Sequence, residues 1–376
     1  MSSSRVTLGQ IAARAGVHVT TVSLALRGSL KLPVATRERL RALADEMGYR
    51  PDPALNALNA YRGNVRSHAY QATVAWFNNY PDQQRLLRVP SFRDYHLGMS
   101  QRAEELGYAL QEIWMHEPGL TPDRLRKRLQ ARGISGIITF PQPEPAALPP
   151  FAWEEFSAVS IGYSVTSPQL HRVTNHQFRS ALILLRELRA LGYRRIGLYL
   201  PEEYDRRVNL GPSSAYAAYD RALPDEERVP MLVVRYRDDS ARIGRWIADN
   251  RPEVVISQHF GLWDICLANG LCVPDDIGLA YLHINKGDPL LSGIYQSDQQ
   301  IGRTALDLLV AMLHRNERGV PAIAQHVLID GEWMPGKSTR RVGPPAPWFL
   351  DKPITPLEDT PPPEPPPKKG RKRKAA

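Results

Sequence analysis

Residues 6–17 read VTLGQIAARAGV, and residues 20–23 read TTVS. This segment indicates the fold of the amino-terminal part of the chain. Thr7 stands three residues before Gln10, which is the spacing of a helix capping box, and an apolar run follows at once. Gly16 then permits a sharp change of chain direction because glycine adopts positive φ without strain. The stretch therefore predicts a short helix that ends in a tight turn.

Two further helices are predicted after this turn. The second runs over residues 19–27, and Pro33 opens a third that ends at Gly48. Three short helices around a tight turn are the layout of a helix-turn-helix domain, whose second helix enters the major groove of DNA. We assign this all-α headpiece to residues 1–50.

The second helix divides into an inner and an outer face. Val22, Ala25 and Leu26 are predicted to face the other two helices, which leaves a row of hydroxyl side chains and Arg27 outside. Short hydroxyl groups and arginine suit contacts with phosphates and base edges. A plain three-helix bundle with an exposed polar face is the alternative that the pattern alone leaves open.

The same residues resemble the amino-terminal domain of the lactose/galactose-repressor (LacI/GalR) family of transcription regulators, and residues 36–39 (TRER) and 47–51 (MGYRP) extend the likeness. The resemblance implies operator binding by Thr7, His18, Val19, Thr20, Thr21, Ser23, Leu24 and Arg27. Two positions depart from the family pattern. Leu24 stands where many members carry a polar base-reading residue, and His18 replaces the usual serine, which we expect to weaken the cap of the second helix.

A hinge is predicted over residues 51–66. Asp52 and Pro53 are suited to the first positions of a helix that is too short to persist alone in water. In the resembled family this hinge helix folds on operator DNA, and the resemblance assigns DNA contacts to Leu55 and Leu58, with Leu58 as a minor-groove wedge that kinks the duplex. A linker with incidental helix propensity remains the alternative.

Residues 67–342 alternate strand-like and helix-like segments, which is typical of βαβ units with parallel sheets. Eight strands are predicted, at residues 73–77, 108–114, 136–140, 158–161, 195–200, 231–235, 254–257 and 277–282. The length favours two lobes. The segment resembles the family's periplasmic-binding-protein-like effector domain, most clearly at residues 270–278 and 331–333. The predicted fold class is therefore a helix-turn-helix headpiece followed by a two-lobed α/β domain that binds effector and forms the dimer.

A ligand cleft is expected beyond the carboxyl ends of the strands. Amides, an arginine and flat rings suit a polyhydroxylated ligand, and by position the candidates are Asn78, Asn79, Tyr163, His176, Arg207, His259, Phe260, Trp263, His283 and Gln296. His283 occupies the region where a ligand-gripping aspartate often lies in the family, and His176 follows Asn175, where an Asp-Asn pair is common. A typical hexose is therefore not assumed.

Charge is concentrated at the two ends of the chain. Residues 1–66 and 368–376 each carry a net charge of +6, whereas the remainder carries −3. Eleven prolines in the last thirty-four residues predict a disordered, proline-rich and basic tail over residues 343–376. The tail could hold phosphate backbone without sequence preference or serve only solubility.

Several function classes find no support. The two cysteines and ten histidines show no metal spacing, no cofactor fingerprint follows the first strand, and no catalytic set is visible, so no enzyme is predicted. Residues 331–338 fit the P-loop expression, but Pro335 removes a backbone N–H and no helix follows. Because no apolar signal segment follows Met1, a cytoplasmic, nucleoid-associated protein is expected.

The sequence thus predicts a homodimeric, allosteric regulator that binds a pseudo-palindromic operator and responds to a sugar or sugar derivative, and the family resemblance implies that it is a repressor. A ligand-independent DNA-binding regulator and a solute-binding protein without a DNA role are the alternatives.

Overall fold

A computed structural model describes residues 6–26, 32–49, 72–235 and 240–351. Its headpiece has helices α1 (Leu8–Ala15), α2 (Val19–Leu26) and α3 (Val34–Glu46). Thr7 caps α1 in a capping box with Gln10, and Gly16 ends the helix at a φ of 67°. Both features confirm the prediction. The core of the headpiece is small, with six buried apolar side chains from the three helices: Ile11, Ala12, Val22, Ala25, Leu40 and Ala44.

The first lobe contains a six-stranded parallel sheet. Its strands are β1 (Ala72–Asn78), β2 (Tyr108–Trp114), β3 (Gly136–Thr139), β5 (Ser157–Ile161), β7 (His171–Asn175) and β13 (His326–Ile329), in the order β13-β7-β5-β3-β1-β2. The helices of this lobe are α4 (Arg85–Arg88), α5 (Pro90–Leu106), α6 (Pro122–Ala131) and α12 (Asp298–Arg315). Short strands β4 (Ala146–Ala147) and β6 (Val165–Ser167) pair beside the sheet.

The second lobe repeats this plan. Its strands are β8 (Ile196–Pro201), β9 (Leu232–Val234), β10 (Val254–Ser257), β11 (Gly278–Tyr281), β12 (Ser292–Tyr295) and β14 (Glu332–Met334), in the order β14-β12-β11-β10-β8-β9. Only β14 runs antiparallel to its neighbour among these pairs. The helices are α7 (Gln177–Ala190), α8 (Glu202–Arg207), α9 (Gly211–Arg221), α10 (Ser240–Asn250) and α11 (Leu262–Ala268).

The chain passes between the lobes in three adjacent crossings, after β7, after β12 and between β13 and β14. Hydrogen bonds join them: the amide N–H of His176 donates to the carbonyl of Ile329 at 2.8 Å, and the hydroxyl of Ser297 donates to the carbonyl of Asp330 at 3.1 Å. Three adjacent segments that are tied in this way form a hinge on which two rigid sheets can rotate.

Helices α5 and α12 approach each other closely at two glycines. A Cβ atom at Gly98 would lie 1.9 Å from the carbonyl oxygen of Gln299, and one at Gly302 would lie 1.9 Å from that of Tyr95. Only glycine leaves room for this contact between two backbones. The contact fixes the start of α12, which follows directly from the second crossing, against the first lobe.

All eight predicted strands are confirmed, and so is the two-lobed α/β fold class. The predicted boundary of the tail at residue 343 is wrong. Trp348 is 8% exposed and its ring stacks on Tyr219 with a centroid distance of 6.0 Å, while Arg189 donates two hydrogen bonds to the carbonyl of Pro347. The body therefore continues to Asp351, because an indole inside a proline-rich stretch supplies the apolar surface that the rest of the stretch lacks. The remainder of the predicted tail lies outside the described residues.

Within the described ranges, no helix is both long enough and apolar enough to cross a bilayer.

Candidate functional site

The outer face of α2 has the exposure that a DNA-reading helix requires. His18, Val19 and Thr20 are exposed at its start, whereas Thr21, Ser23 and Leu24 are half-buried along one side. The inward positions Val22 and Ala25 are fully buried. Arg27, Leu55 and Leu58 lie outside the described residues, so their contacts stay a prediction.

His18 caps α2 in place of serine. The backbone N–H of Thr20 donates to Nδ1 of His18 at 3.3 Å, and the hydroxyl of Thr20 lies 3.0 Å from the same nitrogen. A neutral imidazole nitrogen accepts the hydrogen bond that a serine oxygen would otherwise accept. The expectation of a weakened cap is therefore corrected: the histidine uses a ring nitrogen to satisfy a helix-terminal donor.

A cavity of about 500 Å³ lies between the two lobes at the carboxyl ends of the strands. Residues that follow β1, β3 and β5 form one wall, and residues that follow β8, β10, β11 and β12 form the other. This is where parallel α/β sheets bind ligands. The residues that line the cavity include Tyr80, Ser91, Phe92, Tyr95, Pro141, Tyr163, Ser164, Thr174, Gln177, Glu203, Tyr204, Arg207, Gln258, His259, Phe260, His283 and Gln296.

One buried polar atom on this wall is left without a partner. Oε1 of Gln258 has no hydrogen bond within the described part of the chain, whereas the buried hydroxyl of Tyr204 contacts the side chain of Gln296. Burial raises the pKa of Tyr204, so the hydroxyl keeps its proton and stays a donor. A folded protein rarely leaves buried polar groups unpaired, and such groups beside a cavity indicate a ligand that pairs with them.

Two glutamines hold the floor of the cavity at the hinge. Gln296 is 4% exposed and donates to the carbonyl of Leu282 at 3.0 Å. Its Oε1 accepts from Nε2 of Gln177 at 3.3 Å, so the first and second crossings are linked beside the cavity. A ligand that contacts these amides contacts the hinge itself.

Next to the floor, Nε2 of His283 lies 2.8 Å from Oδ2 of Asp298. His283 borders the cavity and Asp298 lies behind it, 2% exposed at the start of α12. Burial, and next the carboxylate of Asp298, raise the pKa of the nearby Tyr95 hydroxyl well above its ordinary value. The pair thus presents a polar ring, held in one orientation, to the cavity.

Aromatic rings supply flat apolar surfaces around these polar groups. Phe260 is 52% exposed and stacks on Tyr281 with a centroid distance of 5.2 Å and an interplanar angle of 26°. On the opposite wall, Phe92 stacks on Tyr95 at 5.8 Å. Rings that face an open cavity suit the apolar face of a sugar, or of another flat ligand.

Six of the ten effector residues predicted from the sequence line the cavity: Tyr163, Arg207, His259, Phe260, His283 and Gln296. Arg207 reaches from α8 across the cleft and donates to the carbonyl of Pro143 in the first lobe. Contact of these six with an effector remains a prediction.

The other four do not line the cavity. Asn78 is fully buried and donates to the carbonyl of Gln83 at 2.8 Å and to Glu112 at 2.7 Å, and Asn79 donates to Gln142. His176 lies in the first crossing, where its Nδ1 accepts from the N–H of Arg179 at 3.4 Å as the cap of α7. Trp263 packs against the core of the second lobe. Each position lies at or beyond the carboxyl end of a strand, but its side chain is engaged in contacts outside the cavity.

Several wall residues were missed although a signal was present. Tyr204 precedes the predicted Arg207 on the same helix, and Gln258 directly precedes the predicted His259. Both follow the carboxyl end of a predicted strand, which is the signal that would have found them. Tyr95 is different, because it comes from the middle of α5 and only the packing of that helix brings it to the cleft.

No group of three or more histidine, cysteine or acidic side chains that could hold a metal ion occurs in the described ranges.

A helix-turn-helix headpiece joined to a hinged, two-lobed domain with a cleft defines the class of ligand-responsive DNA-binding regulators. The comparisons agree. The family model of bacterial regulatory proteins of the lacI family matches residues 7–52, and that of the periplasmic binding protein-like domain matches residues 185–339. The chain belongs to the LacI family of bacterial transcriptional regulators.

Two curated relatives match over most of their length. The HTH-type transcriptional regulator GntR of Escherichia coli strain K12 is 26% identical over 338 residues, which cover 85% of this chain and 96% of the relative. The HTH-type transcriptional regulator GalR of Streptococcus thermophilus is 24% identical over 322 residues, which cover 81% and 91%. Both are regulators and neither is named as an enzyme.

Two solved structures show the same fold. The transcriptional regulator CelR in complex with cellobiose aligns with a TM-score of 0.51 and 22% identity over 89% of this chain and 100% of that chain. A LacI-family regulator from Rhizobium etli aligns with a TM-score of 0.54 and 16% identity over 71% of this chain and 99% of that chain.

Proposed function

We propose that this regulator represses transcription as a homodimer bound to a pseudo-palindromic operator, and that a sugar or sugar derivative in the cleft sets its operator affinity. The observation that carries the proposal is the position of the cavity at the hinge, with the unpaired, buried Oε1 of Gln258 on its wall. CelR, which shares the fold, was solved with cellobiose bound.

The dimer follows from the size of the headpiece. A single module of three short helices offers few contacts, and specific operator affinity in such proteins comes from two half-sites read by two copies. The exposed start of α2, with His18, Val19 and Thr20, would lie in the major groove. Binding to operators would place the protein on the bacterial nucleoid.

Coupling between cleft and operator would run through the lobes. A ligand that contacts residues of both walls favours one angle between them, because it binds the closed arrangement better than the open one. The angle sets the distance between the two hinge segments of the dimer, at residues 51–66, and so decides whether Leu58 of each copy reaches the minor groove.

The test is operator binding by the full-length protein with and without candidate ligands. Footprinting upstream of the neighbouring genes would identify the operator, and fluorescence anisotropy would measure its affinity. A sugar that raises the thermal midpoint of the protein should change operator affinity about fivefold or more. Tight, specific operator binding that no stabilising ligand alters would instead identify a ligand-independent regulator, and the absence of any preferred site would contradict the DNA role.

A further inference from the structure

Two arginines beside the cleft have no carboxylate partner among the described residues. Arg207 borders the cavity, and the one hydrogen bond given for it runs to the uncharged carbonyl of Pro143. A guanidinium group carries five N–H donors in a planar fork. Most of this donor capacity, together with the full positive charge, therefore stays available to a molecule in the cavity.

Arg172 lies behind the same wall, on β7, and is only 6% exposed. Its guanidinium donates to the carbonyl of Val165 at 2.9 Å and to the hydroxyl of Ser160 at 3.5 Å, and it lies 5.1 Å from the ring centroid of Tyr163. No acidic side chain lies within ion-pair distance of it in the described ranges. Burial accordingly lowers the pKa of Arg172. A buried charge without a counter-charge is costly.

The two guanidinium groups bind two neighbouring segments of the first lobe. Arg207 donates to the carbonyl of Pro143 in the loop after β3, and Arg172 donates to the carbonyl of Val165, which follows the loop after β5. These loops are themselves joined, because the N–H of Gln142 donates to the hydroxyl of Ser164 at 2.7 Å and the Gln142 amide donates to the carbonyl of Ser164 at 3.2 Å. Tyr163 and Ser164 line the cavity and form one of its corners.

Acidic groups are sparse in the lining of the cavity. Glu203 is the one carboxylate among the residues that line the cavity, and its side chain is exposed to solvent. Asp298 lies outside the lining, with its Oδ2 2.8 Å from Nε2 of His283, and both Asp298 and Arg207 lie near the hydroxyl of Tyr95. Arg172, which lies behind the ring of Tyr163, makes the corner with Tyr163 and Ser164 electropositive.

On the basis of these contacts, and resting on the effector role proposed above, we propose that the natural effector is an anionic polyol, whose carboxylate or phosphate group occupies the corner formed by Arg207, Tyr163 and Ser164. Arg207 donates to the anionic oxygens directly. Arg172, which lies against the ring of Tyr163, adds to the positive potential of this corner. Its hydrogen bond to Val165 holds the backbone beside Ser164 in position. The hydroxyl groups of the polyol then face His283, Gln258 and Gln296.

The experiment compares sugars that differ only at one carbon. Thermal midpoints of the full-length protein are measured at constant ionic strength with glucose, glucuronate and glucose 6-phosphate, with the same three forms of galactose, and with inorganic phosphate. Glucuronate and glucose 6-phosphate separate the carboxylate from the phosphate source. Inorganic phosphate tests the anion-binding corner without any sugar. Its result therefore does not depend on whether the tested sugars include the ring of the natural effector.

Three variants assign the effect to the corner. Arg207→Gln should weaken anion binding about tenfold or more, as expected when a charge-assisted hydrogen bond is lost. Arg206→Gln is the matched control, because the neighbouring Arg206 side chain is 72% exposed and pairs with Glu202. Arg172→Lys keeps the buried charge and should retain anion binding, and it serves as the second variant if replacement by a neutral residue prevents folding.

The expected result is a concentration-dependent rise with inorganic phosphate and with one anionic sugar that exceeds the rise with its neutral form, in the wild type and in Arg206→Gln but not in Arg207→Gln. If a neutral hexose stabilises the protein as well as its charged forms do, the anion assignment is overturned while sugar sensing stands. If phosphate and all charged sugars have no effect, or if Arg206→Gln loses the effect equally, the anion site is also overturned. Whether a ligand controls this regulator is then decided by the operator-binding experiment described under the proposed function.

Discussion

Nε2 of His283 lies 2.8 Å from Oδ2 of Asp298, and this pair joins the second lobe to the helix that returns the chain to the first. His283 follows β11 and borders the cleft, whereas Asp298 opens α12 and is 2% exposed. The contact therefore lies where ligand, hinge and helix packing meet. A ligand that moves His283 acts on the start of α12 through one buried carboxylate.

Replacing Asp298 should destabilise the body. In Asp298→Ala the His283 ring loses its partner in a buried setting, and we expect the free energy of unfolding to fall by about 3 kcal/mol, as when one member of a buried pair is removed. Urea unfolding followed by tryptophan fluorescence measures the loss. Asp307→Ala is the control on the same helix, because its side chain is 44% exposed in an ion pair with Arg102, and it should cost at most about 1 kcal/mol. Equal losses in the two variants would refute the role given to the buried pair.

The backbone contact at Gly98 should be sensitive to a single methyl group. Gly98→Ala places a Cβ atom against the carbonyl of Gln299, so α5 and α12 must separate, with a loss of about 1–3 kcal/mol in the free energy of unfolding. Hydrogen exchange across α12 should accelerate as well. Ser100→Ala, two residues along the same helix and half-buried, should leave exchange almost unchanged. Unaltered exchange in Gly98→Ala would mean that the two helices are not packed as described.

The stability of the second lobe should fall in acid through Glu227. Burial raises the pKa of this carboxylate, but hydrogen bonds from Arg189 at 2.6 Å and Arg194 at 2.7 Å bring it below its ordinary value of 4.5. Because the pKa is lower in the folded state, the stabilisation is fully present above pH 4.5 and is lost as the pH falls through the folded-state value. Urea unfolding at pH 7, 5, 4 and 3 measures this slope.

Glu227→Gln is the matched variant for this acid slope. It removes the titrating group while it keeps an acceptor for Arg189, so it should be less stable than the wild type at pH 7 and should lose less stability between pH 5 and pH 3. A slope as steep as that of the wild type would show that other carboxylates control the acid transition.

The predicted minor-groove wedge is tested by Leu58→Ala. The smaller side chain cannot unstack a base step, so we expect operator affinity to fall about tenfold or more while effector binding is unchanged. Anisotropy with labelled operator measures the first and thermal shift the second. Leu350→Ala removes a leucine that is 60% exposed on the body and should alter neither. Operator affinity that survives Leu58→Ala would leave the hinge without its proposed role.

The parts of the fold that the sequence predicts are those with strong local signals. The capping box at Thr7 and the apolar strands are local features, and all of them are confirmed. Strand β7 was missed because its sequence, HRVTN, is mostly polar, although all five residues are buried. Its polar side chains are satisfied by distant partners such as Gln325, whose N–H donates to Nδ1 of His171 at 2.9 Å. No local pattern reports such pairing.

The candidate site was predictable by position but not by side-chain direction. Asn78 ends a strand of a parallel sheet and Phe260 follows one, yet the first is fully buried and the second lines the cleft. Successive side chains of an extended segment alternate in direction, so a shift of one residue at the strand end reverses the outcome. The register is set by the neighbouring strands, which sequence reasoning places only approximately.

The coupling of cleft and headpiece is tested by titrating the full-length protein against its cognate operator and against random duplex of equal length, at moderate ionic strength and with or without a stabilising cleft ligand. The account predicts a preference of about a thousandfold or more for the operator, and a change of about fivefold or more in that affinity when the ligand is present. Equal affinity for both duplexes would contradict the DNA role of α2. An operator preference that the bound ligand leaves unchanged would contradict the coupling between cleft and headpiece.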